Sequence, residues 1–163
     1  MTIDFENITD QTWVRIYNFD ASKNVDEDDL NEIKELMQNK HFICFKNQKL
    51  DEDSLINFCK NFGNLESYPE KNKTKKNIQI FNVANISADG EHLNENDPRV
   101  VLQKNNSRWH TDSSYRFYPA LYSLLFGKET LPKEASGGQT QFSNMLLAYK
   151  SCLLYTSDAA DEP

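Results

Sequence analysis

No apolar run in these 163 residues approaches the roughly 20 consecutive apolar residues that a membrane-spanning helix needs. The opening stretch, Met1-Thr2-Ile3-Asp4-Phe5-Glu6, is acidic. It lacks the basic start and apolar core of a secretory signal. A cytoplasmic protein with no membrane partner is therefore expected. Positive charge is scarce too, with 18 Lys and Arg against 25 Asp and Glu and a net charge of -7. Phosphate contacts require clustered cations, so the balance argues against a nucleic-acid partner. The one basic cluster, Lys71-Asn72-Lys73-Thr74-Lys75-Lys76, reads as a solvated loop. Cysteine is limited to Cys44, Cys59 and Cys152. No pair has zinc-ligand spacing, and an odd count does not make a disulfide framework. Cys44 and Cys59 sit in apolar patterns and read as small buried hydrophobes.

What is present suffices for one domain with a real core. Thr12-Trp13-Val14-Arg15-Ile16-Tyr17 alternates and reads as an edge strand. Asp26-Glu27-Asp28-Asp29 places acidic groups at a helix start, where the macrodipole favours them. Leu30, Ile33, Leu36 and Met37 follow at helical spacing, which predicts an amphipathic helix over 27–39. His41-Phe42-Ile43-Cys44-Phe45 reads as a buried strand. Asp51 is placed to cap a second helix, whose inner face is Leu55, Ile56, Phe58, Cys59 and Phe62, with Gly63 as its stop. Strands are expected at 78–83, 122–126 and 140–143, turns at Asp89-Gly90 and Gly137-Gly138, and a helix from Met145 capped by Asn144. Residues 91–108 are polar and show no periodicity, so they read as a long loop, and a lid in particular. Helices precede strands, which suggests an α+β fold.

The stretch most able to carry chemistry is Trp109-His110-Thr111-Asp112-Ser113-Ser114. In an extended segment, residues two apart point to the same side of the backbone. His110 and Asp112 would then offer an imidazole and a carboxylate to one ion. That pair suits a non-haem Fe(II) site of the two-His, one-carboxylate type, which keeps positions open for substrate and oxygen.

The wider pattern carries a resemblance. After Trp109 to Ser114 come Pro119-Ala120, Tyr122-Ser123-Leu124-Leu125, Gly137-Gly138-Gln139-Thr140-Gln141-Phe142, and Asn144-Met145 through Ala148-Tyr149. Upstream, Asn61-Phe62-Gly63 and the segment from Asn82 to Gly90 fit as well. This ordered set resembles the TauD/TfdA family of Fe(II)- and 2-oxoglutarate-dependent dioxygenases, which includes taurine dioxygenase and 2,4-dichlorophenoxyacetate dioxygenase. Ser113-Ser114 and the Tyr-Ser-Leu-Leu run look closer to the phenoxyacetate branch. The resemblance implies a double-stranded β-helix (jelly roll) with flanking helices. It implies His110 and Asp112 as iron ligands, Thr140 as a hydrogen-bond donor to the 2-oxoglutarate carboxylate, and Asn106 facing substrate. Gln139 departs from the family, where an acidic residue or Asn is common. The implied reaction hydroxylates a small, anionic organic substrate with O2, coupled to decarboxylation of 2-oxoglutarate to succinate and CO2.

The family's second His and its 2-oxoglutarate-binding Arg lie far downstream of Thr140. His41 and His92 both precede the motif, in the wrong order. From Cys152 the composition breaks, and residues 152–162 resemble a translated sequencing adaptor. The expectation is that 1–151 is the N-terminal part of a single dioxygenase domain, truncated before the second half of the jelly roll. Residues 152–163 are then a non-native tail. Such a fragment is expected to be inactive by itself. The alternatives are a jelly-roll module that binds a ligand without redox chemistry, or an interaction module that forms a homo-oligomer through an open sheet edge.

Overall fold

The computed structural model describes residues 3–67, 77–87, 89–132 and 134–152. The loop at Tyr68-Pro69, the lysine cluster at 71–76 and the tail from 153 onward lie outside the described residues. Two compact units are present. The first comprises Met1–Asp20, Val25–Gln48 and Gly127–Pro163; the second comprises Ala21–Asn24 and Lys49–Phe126.

The first unit is built on a three-stranded sheet in the order β1 (Phe5–Asn7), β2 (Trp13–Ile16), β3 (Phe42–Phe45). β1 pairs antiparallel with β2, Phe5 opposite Ile16 and Asn7 opposite Val14. β3 pairs parallel with β2, Trp13 opposite Phe42 and Ile16 opposite Phe45. Parallel neighbours need a crossover, and helix α1 (Glu27–Lys40) supplies it. Asp26 caps α1 by accepting a 2.8 Å bond from the Asp29 N–H. His41 ends it in the left-handed conformation (φ 64°) and donates its N–H to the Met37 carbonyl. Val14 and Ile16, two apart on one face of β2, are fully buried, as is Ile33 of α1, with Leu36 nearly so. These form the core of the unit.

The Thr12–Tyr17 segment is therefore the central strand, not the edge strand expected. Its alternation reports one buried face and carries no information about how many neighbours pair with it. Its other face carries Trp13, against Phe42, and Arg15, which pairs with Glu6 at 3.3 Å, opposite it in the register; Tyr17 Oη donates to the same carboxylate at 3.0 Å. In the same unit Phe142 stacks on Phe42, ring centres 4.1 Å apart, and Asn144 Nδ2 donates to Thr12 Oγ1 at 3.2 Å. Asn144 also caps the short α4 (Met145–Lys150) by accepting from the Leu147 N–H.

The second unit contains α2 (Glu52–Lys60) and α3 (Pro98–Asn106). Asp51 caps α2 through the Ser54 N–H at 2.7 Å, and Phe58 is buried. Asn61 closes the helix. Gly63 then turns the chain with φ 135°, a value that favours glycine. Phe62 packs edge-on against both Phe58 and Tyr122.

Two further expectations are corrected. The stretch 91–108 is not a structureless loop, because it contains α3. Asp97 accepts from the Arg99 N–H, and Pro98 occupies the first turn, where its missing N–H costs nothing. No residue of α3 is buried, so no apolar stripe marks it in the sequence. The segments 78–83, 122–126 and 140–143 are irregular rather than strands. Phe81, Val83, Leu125 and Phe142 are exposed, and no strand pairs with these segments among the described residues. The coarse α+β class stands.

Candidate metal centre

α3 ends at Asn106, and the chain turns through Ser107 and Arg108, whose N–H groups return to Gln103 and Asn105 carbonyls. This delivers His110 in an irregular segment rather than a strand. His110 Nδ1 lies 2.8 Å from the Arg108 carbonyl oxygen. A carbonyl only accepts, so in the neutral ring Nδ1 carries the proton and Nε2 the lone pair. Nε2 stands 3.4 Å from Asp112 Oδ1. The other carboxylate oxygen, Oδ2, accepts a 2.8 Å bond from Ser123 Oγ.

The two free donor atoms thus face each other, and their companion atoms are tied elsewhere. Donors in adjacent octahedral positions, each about 2.1 Å from an ion, stand roughly 3 Å apart. The observed spacing fits such a site within a few tenths of an ångström. The side chains are 47% and 61% exposed. A pair this exposed adds little to stability, so the arrangement is not explained as a structural ion pair. The bonds at Nδ1 and Oδ2 are the kind that orient metal ligands from outside the coordination sphere.

Immediately after Asp112 the chain makes a turn. Ser113 is buried and holds φ at 56°, unusual for a residue with a side chain. The Arg116 N–H donates to its carbonyl at 3.0 Å. Ser113 Oγ donates to Glu66 Oε2 at 3.0 Å, and Arg116 Nε pairs with the same oxygen at 3.2 Å.

The other residues singled out from sequence lie elsewhere. Asn106 is the exposed last residue of α3. Thr140 is exposed and belongs to the first unit, whereas His110 and Asp112 belong to the second. It follows Gly137 and Gly138, both at positive φ. His41 caps α1, and His92 bridges Ile86. Among the described residues no group of three or more His, Cys, Asp or Glu is placed to hold a metal. Sequence reasoning missed Ser123 as a partner of Asp112, although it sits inside a quoted motif. It missed Glu66 altogether, which no motif marks. No helix among the described residues is long and apolar enough to cross a membrane.

Comparison with known proteins gives the family. The family described as taurine catabolism dioxygenase TauD, TfdA family, matches residues 4–158, and the chain belongs to it. Among curated relatives, it is 31% identical over 138 residues to an alpha-ketoglutarate-dependent 2,4-dichlorophenoxyacetate dioxygenase of Cupriavidus pinatubonensis, covering 82% of this chain and 47% of the relative. It is 32% identical over 125 residues to the enzyme of the same name from a Burkholderia species, covering 74% of this chain and 41% of the relative. An (S)-phenoxypropionate/alpha-ketoglutarate-dioxygenase of Sphingobium herbicidovorans is 30% identical over 122 residues, covering 74% and 35%. The chain spans less than half the length of these relatives. The crystal structure of AAD-2 in complex with Mn(II) and N-oxalylglycine superposes with a TM-score of 0.63 at 23% identity, covering 74% of this chain and 40% of that one. That likeness shows the fold relationship. The relatives' names agree with the phenoxyacetate branch that Ser113-Ser114 and Tyr122-Ser123-Leu124-Leu125 resemble.

Proposed function

We propose that this chain supplies the His-x-Asp part of the Fe(II) site of a 2-oxoglutarate-dependent dioxygenase acting on a small, anionic organic substrate. The observation that carries the reading is the 3.4 Å approach of His110 Nε2 to Asp112 Oδ1, with Nδ1 and Oδ2 each held by a hydrogen bond. His110 and Asp112 would hold the ion. An Fe(II) ion with bound 2-oxoglutarate supplies oxygen activation coupled to decarboxylation to succinate and CO2. The chain's own part is orientation. The Arg108 carbonyl fixes the imidazole tautomer, and Ser123 leaves one carboxylate oxygen free. In this reading Thr140 contributes a hydroxyl to the cosubstrate carboxylate and Asn106 faces substrate.

The parent fold in this reading is a jelly roll. Residues 1–151 are part of one dioxygenase domain. A third ligand and an Arg for the cosubstrate are then required from a longer frame. Phenoxy acids, named for the relatives, are the substrates to try first.

The test uses the reading frame amplified directly from source DNA across the Ser151 codon. The frame is expected to continue into a segment with a His and then an Arg. Its product, given Fe(II), 2-oxoglutarate and phenoxyacetate, is expected to form succinate as substrate disappears. Asp112→Ala should reduce succinate to background. Succinate formation that survives this substitution would sink the reading.

A further inference from the structure

Glu66 lies 47 residues before Ser113 in the chain, yet its Oε2 accepts from Ser113 Oγ at 3.0 Å and pairs with Arg116 Nε at 3.2 Å. Ser113 follows Asp112 directly. Its left-handed backbone conformation (φ 56°) is disfavoured for a residue with a Cβ. Something outside the turn must hold it there. The buried Ser113 side chain offers one hydroxyl, and Glu66 is the acceptor it uses. The same oxygen lies 3.2 Å from Arg116 Nε, an ion-pair contact without hydrogen-bond geometry, and the Arg116 N–H closes the turn onto the Ser113 carbonyl. One oxygen thus ties both ends of the turn that opens with Asp112. The Asp112 carboxylate itself meets His110 Nε2 and Ser123 Oγ.

We propose that Glu66 is a positioning residue for the metal centre: by clamping Ser113 and Arg116, it sets the backbone angle at which Asp112 presents Oδ1 to His110 Nε2. The inference rests on the metal-site reading and deepens it. Glu66 does not touch the ion. It removes the freedom of the turn, so that the two donors need not be reorganised when an ion binds.

The test is Co(II) titration of the product of the longer frame, which supplies the third ligand, read by the visible absorption of the bound ion. Amide exchange at Arg116, without metal, is the second readout. The wild-type chain is expected to bind Co(II), and Asp112→Ala to lose that binding. Glu66→Ala is expected to weaken Co(II) by up to about 10-fold, the low end of what losing a direct partner of a ligand costs, and to speed exchange at Arg116. Glu66→Gln keeps an acceptor for Ser113 and loses only an ion pair, worth at most a factor of about five, so most affinity should return. Ser113→Gly removes the hydroxyl but suits the positive φ. It should weaken Co(II) as Glu66→Ala does, and the double variant should be no worse than either single one. Multiplying losses would overturn the inference, as would a Glu66→Ala chain that melts earlier yet binds Co(II) unchanged. If the wild type does not bind Co(II), or Asp112→Ala binds as well as wild type, the metal-site reading falls and this inference with it.

Discussion

Ser123 Oγ donates a 2.8 Å hydrogen bond to Asp112 Oδ2, across 11 residues of chain. The bond occupies one carboxylate oxygen and leaves the other, Oδ1, turned to His110. A carboxylate held this way presents one lone-pair donor in a fixed direction. An unheld carboxylate would rotate and pay that entropy on binding an ion.

Ser123→Ala is accordingly expected to weaken metal binding by about 10-fold while leaving the melting temperature nearly unchanged, because Ser123 is exposed. Ser123→Thr keeps the hydroxyl and should retain most of the affinity. Isothermal titration with Mn(II) separates the two variants. Equal affinity in Ser123→Ala and wild type would show that the bond does not orient the carboxylate.

The core of the first unit should be sensitive at Ile33. Its side chain is almost wholly buried, alongside Val14 and Ile16. Ile33→Ala is expected to cost about 2–5 kcal/mol in urea unfolding. Tyr17→Phe, on the exposed side of the same sheet, removes only the hydroxyl shared with Glu6 and Arg15. It should cost less than about 1 kcal/mol.

The start of α3 should survive mild acid. The Arg99 guanidinium beside Asp97 holds that carboxyl down to about 2, from an ordinary 3.8. The folded carboxyl takes up its proton later than the unfolded one. The stabilisation is therefore fully present above pH 3.8 and is lost as pH falls towards about 2. The Arg99 amide, which donates to Asp97, reports the loss in an NMR pH titration. Added salt should move the transition towards the ordinary value, because the pair is exposed to screening. Asp97→Ala should destabilise the helix, because the Arg99 N–H loses its capping acceptor.

Two of the three thiols should react in a set order with iodoacetamide. Burial pushes the Cys59 thiol up, so less of it is thiolate at neutral pH. Cys152 is exposed. Mass spectrometry of a time course should find Cys152 modified first and Cys59 well behind it. Equal rates would mean that α2 opens on the timescale of labelling.

The parts of the fold legible in the sequence are those whose cause is local. Asp26 and Asp51 cap their helices, and Asn144 caps α4, because a short side chain reaches an N–H two or three residues on. The apolar spacing of Ile33 and Leu36 needed only the helical period. Strands are different, since a strand is a pairing. Ile78 to Val83 and Tyr122 to Phe126 have strand-like composition, but composition does not supply a partner. The same reasoning misplaced β2 at an edge. α3 escaped because it buries nothing, although Asp97-Pro98 was a readable start signal. In the candidate site, His110 and Asp112 stood out by spacing. Ser123 and Glu66 did not, because their roles arise from distant chain segments meeting at a turn.

The bond from Asn144 to Thr12 joins residues 132 apart, and it gives the first unit an awkward place in the order of synthesis. On a ribosome, Lys49 to Phe126 leaves the exit tunnel before Phe142 does. The second unit can therefore collapse while the sheet of the first still waits for Phe142 to cover Phe42. Chains fold as they emerge, at about 5–20 residues per second, so Phe42 stays open for some seconds in every nascent copy. Neighbouring chains on one polysome would meet through that aromatic face before they could meet through any finished surface.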